Sequence, residues 1–262
     1  MCKVALTALT ALTSQNNQEV YLMMKFKIDK PNVLRGFGKK LKQIPFATAN
    51  AMNGTGKQIV TALQSEMRSV FHQPTRYTTN SLRLKYAKKT KLEAEVVFKD
   101  AAPGRVSAGD YLKPQIKGGD RVAKPFERWM QRAGLLRPGE MLVPGKDAPL
   151  DSYGNVRRGM YPQIMSQLRL GHDRYSWSTD SKRSKKNVSR SGKFFWADGH
   201  RGLPRGIYRR RGKRLALIFL AVGHARYSPI FDFDGVARRK ANEVWRDEFA
   251  KALRNAFATA KR

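Results

Sequence analysis

The densest chemistry in the sequence is cationic. Between Lys182 and Arg214, thirteen lysines and arginines stand against a single carboxylate, Asp198, with Phe194, Phe195, Trp196 and Tyr208 interleaved. Each Lys or Arg set against a phosphate releases condensed counterions, so such a run suits nucleic acid bound with a steep salt dependence and no base selectivity. The same charges suit an acidic protein surface, and a charge run can equally be a solvated loop. The residues expected to make the contact are Lys182, Arg183, Lys185, Lys186, Arg190, Arg205, Arg209, Arg210, Arg211, Lys213 and Arg214.

Other constellations test for catalysis and fall short. Asp232 and Asp234, with Glu243, Asp247 and Glu248 nearby, form the densest acidic group. Paired carboxylates can hold magnesium for a nuclease, but helix capping accounts for Asp234 and solvated helix positions for the others. Gly54-Thr55-Gly56-Lys57-Gln58 has the Gly-Lys pair of a phosphate loop, yet Ala51 stands where the first glycine is needed and Gln58 where a hydroxyl is needed. His72, His172, His200 and His224 are far apart, and only Asp173 adjoins one of them, which is not a metal spacing. Cys2 is the only cysteine, so one chain can build neither a disulfide nor a cysteine-based zinc site. No Gly-x-Ser-x-Gly elbow or Cys/His pair offers a nucleophile. The expected protein is non-enzymatic, with no cofactor and no metal.

The whole composition carries the same bias. In 262 residues there are 52 Lys+Arg against 20 Asp+Glu, a formal charge of +32. Self-repulsion on this scale works against a compact chain unless something anionic neutralises it. Hydrophobic residues make up 41%, enough for a real core, which excludes a purely disordered basic tail. The longest apolar run, Leu215 to Val222, has strand length and cannot span a membrane. The opening MCKVALTALTALTSQ lacks the continuous apolar stretch of a secretion signal. A soluble protein of the reducing cytoplasm is expected.

The elements that must hold the cationic run follow from hydrophobic period. From Phe46 to Phe71, the residues Ala49, Met52, Gly56, Ile59, Val60, Leu63, Met67, Val70 and Phe71 recur at steps of three and four, predicting a long helix. Pro45 divides it from a shorter basic helical piece around Val33 to Ile44, and Pro74 closes it. Leu82, Leu84 and Tyr86, then Leu92, Ala94, Val96 and Phe98, alternate with polar residues across Lys88-Lys89-Thr90, predicting an antiparallel hairpin. From Pro103 to Gly192 repeated Pro and Gly break the chain, leaving short helices around Phe126 to Leu135 and Ile164 to Leu170. Strands return at Lys193–Trp196 and Gly206–Arg209, and Leu215–Val222, apolar on both faces, reads as a central strand after a turn at Gly212. Asp234 is expected to cap a last helix bearing Trp245, Phe249, Leu253 and Phe257 on one side.

The resulting expectation is an α+β fold. Residues 1–23 form a disordered or non-native extension, 24–100 a helix and hairpin, and 101–192 a long irregular insertion of loops and short helices. Residues 193–262 are strands and a helix completing the same core, with the two long helices on one face of the sheet and the other face left for a neighbour.

In this order of elements the chain resembles the phage tail-completion proteins typified by the minor tail protein Z of phage lambda. The resemblance rests on the long helix leading into LRLKYAKKTKLEAEVVF, and on RGIYRRRGKRLALIFLAVG followed by FDFDGVARRKANEVWRDEFAKALRNAF. It covers about half the chain, mainly residues 46–100 and 205–262. The segment KPFERWMQRAGLLRPGEMLVPGKDAPLDSYGN resembles uncharacterised phage virion proteins instead. The resemblance implies a non-membrane virion protein of the tail or neck, made in the host cytoplasm and added late as a homo-oligomeric ring around the channel. Its implied neighbours are the tail tube, terminator or head–tail connector proteins, with the tape measure protein and double-stranded DNA as further contacts. Two competing classes stay open: a stand-alone, nonspecific nucleic-acid-binding protein of a phage or prophage, and a magnesium nuclease built on Asp232 and Asp234.

Overall fold

The computed structural model describes residues 43–100, 106–170, 177, 181–200, 202–223 and 226–259, and the backbone of 23–27. The expected extension before residue 23, the basic helical piece before Gln43, and His172 and His224 lie outside the described residues. The architecture is α+β, as expected, but it is divided into two compact units: Met1–Gly118 with Ser228–Arg262, and Gly119–Tyr227.

The first unit is built on two long helices and a small sheet. Helix α1 (Ile44–Val70) starts with Pro45 in its first turn, where a missing N–H costs nothing. The short α2 (Arg76–Thr79) leads into strands β2 (Leu82–Lys85) and β3 (Glu93–Phe98), which pair antiparallel with Leu82 opposite Phe98. Strand β1 (Met23–Lys27) pairs on the other side of β3, giving the order β1-β3-β2. Helix α3 (Ala108–Lys117) follows, and the chain returns at the end as α7 (Phe233–Ala258). Ile59, Leu63, Met67, Leu82, Val96, Phe98, Phe231, Phe233 and Ala237 fill one core.

Small residues bring α1 and α7 together. Ala47 and Ala51 are wholly buried against Ala252 and Ala256, and helix separation is set by the side chains at the contact. A Cβ on Gly54 would lie 2.1 Å from Glu248 Oε2. Gln58 Nε2 donates to Glu248 Oε1 at 2.7 Å, so that carboxylate is held beside the helix pair. Gly54 and Gly56 are therefore packing residues inside a helix, and the stretch from Gly54 to Gln58 is no loop.

The second unit opens and closes on a two-stranded ribbon, β4 (Gly119–Asp120) with β9 (Arg226–Tyr227). Between them come α4 (Pro125–Arg132), β5 (Met141–Pro144), α5 (Met160–Gln167), α6 (Lys182–Ser191), β6 (Lys193–Ala197), β7 (Gly206–Arg211) and β8 (Arg214–Val222). The four longer strands form an antiparallel sheet of order β5-β8-β7-β6, with a bulge at Ile207/Tyr208. Its core is aromatic and aliphatic. Phe126 packs against Tyr161 and Phe219 at ring separations of 5.1 and 5.7 Å, with Met130, Ile164, Phe194, Ile207 and Ile218 around them.

Beside the ribbon, Glu127 is 1% exposed and Arg121 is 12% exposed. Arg121 Nη1 donates to Glu127 Oε2 at 2.7 Å, and the backbone N–H groups of Lys124 and Leu142 donate to the same carboxylate at 2.7 and 2.8 Å. Burial pushes the Glu127 carboxyl up, but the guanidinium and the two N–H groups together outweigh it and hold the group below the ordinary carboxylate range.

Four expectations need correction. Strands 193–222 do not complete the core of residues 24–100: they pair with one another and with β5, around a core of their own, and only α7 rejoins the first unit. The inserted body therefore runs from Gly119 to Tyr227 and contains a sheet, where residues 101–192 were expected to be loops and short helices. Asp232, not Asp234, caps α7, accepting from Gly235 N at 2.9 Å, while Asp234 sits in the first turn. Phe257 is 40% exposed and does not join the apolar side. The central place of β8 and the turn at Gly212 are observed as expected.

Candidate functional site

Five of the expected contact residues lie on α6, a ten-residue helix in which no residue is buried. Ser181 Oγ caps it by accepting from Ser184 N at 3.2 Å, and Gly192, at φ 88°, ends it. A Cβ there would come within 3.0 Å of Arg209 and Arg210 atoms, so glycine is needed for both the turn and the close approach. Gln167 fixes the junction, donating to Gly192 O at 3.2 Å and accepting from Phe194 N at 2.7 Å. At about 100° per residue, Lys182, Arg183, Lys186 and Arg190 share roughly 100° of arc. The half-buried Ser184, Val188 and Ser191 lie nearly opposite. The helix rests on its small residues and turns its cations outward.

The next group sits where α6 runs into the sheet. The register sets Lys193 opposite Arg210, Phe194 opposite Arg209, Arg210 opposite Leu215, and Arg211 opposite Arg214. Gly212, at φ 59°, occupies the first place of the two-residue loop between β7 and β8, as a type II′ turn requires. Arg210, Arg211, Lys213 and Arg214 are exposed at this tip, while Arg209 is half-buried. Like charges directly opposite repel, so the tip carries an unfavourable self-interaction. Two cations not singled out from the sequence join it. Lys193 is exposed on β6, and Lys146 is exposed after β5 beside Leu217 and Ile218 of β8, next to the exposed Asp147, whose carboxylate accepts from Leu217 N at 3.0 Å. Only strand pairing could have brought Lys146 here.

Among the described residues, the ion pairs engage Arg83, Lys85, Lys91, Arg121, Arg205, Arg239 and Lys240. None engages Lys182, Arg183, Lys186, Arg190 or the cations of the tip; Lys185 has an interaction of its own.

Arg205 does not belong to this surface. Its side chain is 18% exposed, pairs with Glu140 at 3.2 Å and with Asp198, and donates to Leu135 O at 3.2 Å. Its guanidinium also lies 5.4 Å from the Trp196 ring centre, within cation–π range. It is a strut within the second unit, its charge already matched there by Glu140 and Asp198, which sets it apart from the other residues expected to make the contact. The interleaved aromatics are engaged too. Phe195 stacks on Tyr208 at 5.9 Å, and Arg210 lies 5.7 Å over Phe195.

The acidic residues are not gathered into a site. Asp232 caps α7 and pairs with Arg239 at 3.1 Å, Glu243 pairs with Lys240 at 2.7 Å, and Glu248 is held by Gln58. No cluster of three or more His, Cys, Asp or Glu suited to a metal occurs among the described residues, where His72 and His200 are exposed. Among the described residues, no helix is long and apolar enough to cross a membrane. No protein-family model, curated protein or solved structure matches the chain.

Proposed function

We propose that the chain is a structural protein of a tailed-bacteriophage particle, acting in tail completion or at the neck, where copies form a ring around the channel. The observation that carries this reading is the cationic surface of α6 and the β7–β8 tip: exposed, with Lys182, Arg183, Lys186, Arg190 and the tip cations in no ion pair among the described residues, and displayed on an inserted unit with its own core. A surface that repels itself gains from an anionic neighbour, and a permanent assembly supplies one at fixed geometry. The resemblance of residues 46–100 and 205–262 to tail-completion proteins supplies the setting, in which that neighbour is a tube, terminator or connector protein, the tape measure protein or DNA. The role proposed is non-enzymatic and needs neither metal nor cofactor.

Mass spectrometry of purified particles tests this reading. Peptides of the chain should appear in mature particles at the copy number of a ring component, and their absence overturns it.

A further inference from the structure

We infer that the cationic surface takes the phosphate backbone of a nucleic-acid duplex, without base specificity, in preference to a single strand or an acidic protein. The inference rests on the anion-facing surface proposed above and names its partner class.

The choice against a protein partner comes from residue type. Interfaces between proteins deplete lysine and centre on buried aromatic or apolar anchors. The outward arc of α6 holds Lys182, Arg183, Lys186 and Arg190 with no apolar residue among them, and Lys193 and Lys213 extend the series. This pattern can contact a charge lattice but offers no anchor to a pocket. The arc from Lys182 to Arg190 covers about 12 Å at 1.5 Å per residue. A duplex presents one negative charge per roughly 1.7 Å of axis with both strands counted, so the arc meets a dense charge lattice without special register.

The choice against a single strand comes from the rings. Proteins that hold single strands offer open aromatic faces on which bases stack. Here Phe195 is stacked on Tyr208 and roofed by Arg210, Tyr208 is 4% exposed, and Trp196 is covered by Arg205. The aromatic residues that suggest base stacking in the sequence are spent on holding guanidinium groups in place. The surface therefore presents charge and no stacking platform. Base readout would need side chains arranged along base edges in a groove; α6 offers Lys, Arg, Ser, Asn and Val, which position on phosphates.

The test uses the full chain, two unrelated 30-base-pair duplexes, the single strand of one of them, and polyglutamate as competitor, over a range of salt concentrations. The two duplexes should bind alike, each more tightly than the single strand at equal salt, and polyglutamate at equal charge concentration should not displace them. The variant Lys182→Gln, Lys186→Gln, Arg190→Gln should lower the slope of log affinity against log salt by about 2.7, near 0.9 per lost phosphate contact. Arg211→Gln, Lys213→Gln, Arg214→Gln should do the same from the other side of the surface. Both should leave the circular dichroism unchanged, since no altered side chain is buried. A slope unchanged in both variants, a single strand bound as tightly as the duplex, or displacement by polyglutamate would each overturn the inference, the last naming an acidic protein instead. Absence from particles with intact duplex binding would remove the virion role alone; presence in particles without duplex binding would remove this inference alone.

Discussion

The two units are held together by opposite means. In the first, α1 and α7 meet through Ala47, Ala51, Ala252 and Ala256, with Gly54 where the Glu248 side chain comes closest. In the second, the core is centred on Phe126, Tyr161 and Phe219, and the one deeply buried carboxylate among its described residues, Glu127, is neutralised by Arg121. Their net charge is the same, since the first unit carries 28 Lys+Arg against 12 Asp+Glu, but its distribution differs. The second unit carries 24 Lys+Arg against 8 Asp+Glu, but outside Lys182–Arg214 that falls to 11 against 7. Its excess is therefore local. A helix pair packed on small residues should be broken by adding atoms, and an aromatic core around a buried ion pair by removing them.

The largest effects should come from removal in the second unit. Phe219→Ala empties a ring site that is 3% exposed and should cost about 3–5 kcal/mol. Glu127→Ala should cost a similar amount, roughly 3–5 kcal/mol, because it leaves the Arg121 guanidinium without its anion. Denaturant unfolding gives the size of each loss. Hydrogen exchange should place it in residues 119–227, with α1 and α7 still protected; equal loss in both units would end the comparison.

Acid should act on the same pair. The folded Glu127 carboxyl lies below its ordinary value, so the stability it contributes is fully present above the ordinary carboxylate range. That stability is lost as pH falls through the lowered folded value. Glu127→Gln should flatten this part of the pH profile, measured by thermal unfolding between neutral and acid pH.

Addition should harm the first unit by a smaller amount. Ala51→Leu puts a branched side chain where none is exposed, and should cost about 1–3 kcal/mol by overpacking, read as a shift in the unfolding midpoint at constant m-value. Asp232→Ala removes the cap of α7 and should cost about 1 kcal/mol, while its exposed pair with Arg239 adds little. Smallest of all, Arg211→Gln with Lys213→Gln should change stability by no more than about 0.5 kcal/mol. A stabilisation would agree with the self-repulsion at the tip, and a loss well beyond that range would mean these cations have partners within the fold.

How much of this was legible follows the same division. The three- and four-residue steps of Ile59, Leu63 and Met67 place α1, and the alternation at Leu82 and Leu84 places the hairpin. The doubly apolar run from Leu215 marks β8 as central, and Gly212 marks the turn. Each of these signals records how deeply a side chain is buried, or what backbone angle it must take. Four-residue β5, ending at Pro144, gave too short a run to be seen, yet it is the strand that completes the second sheet. Among the basic residues the sequence located the concentration of charge, but it could not separate Arg205 from Arg211. Both are arginines in one run, and only one lies beside Glu140 and Asp198.

By itself, then, the sequence determined the class of fold, the long helices, the central strand and the densest run of positive charge, because period, turn chemistry and composition are local. Tertiary structure alone decided that β6, β7 and β8 close on β5 around a second core, that Arg205 is neutralised while the tip is not, and that the rings of Phe195, Tyr208 and Trp196 are covered. Those facts depend on which element pairs with which, and burial periodicity says that a face is covered without saying by what.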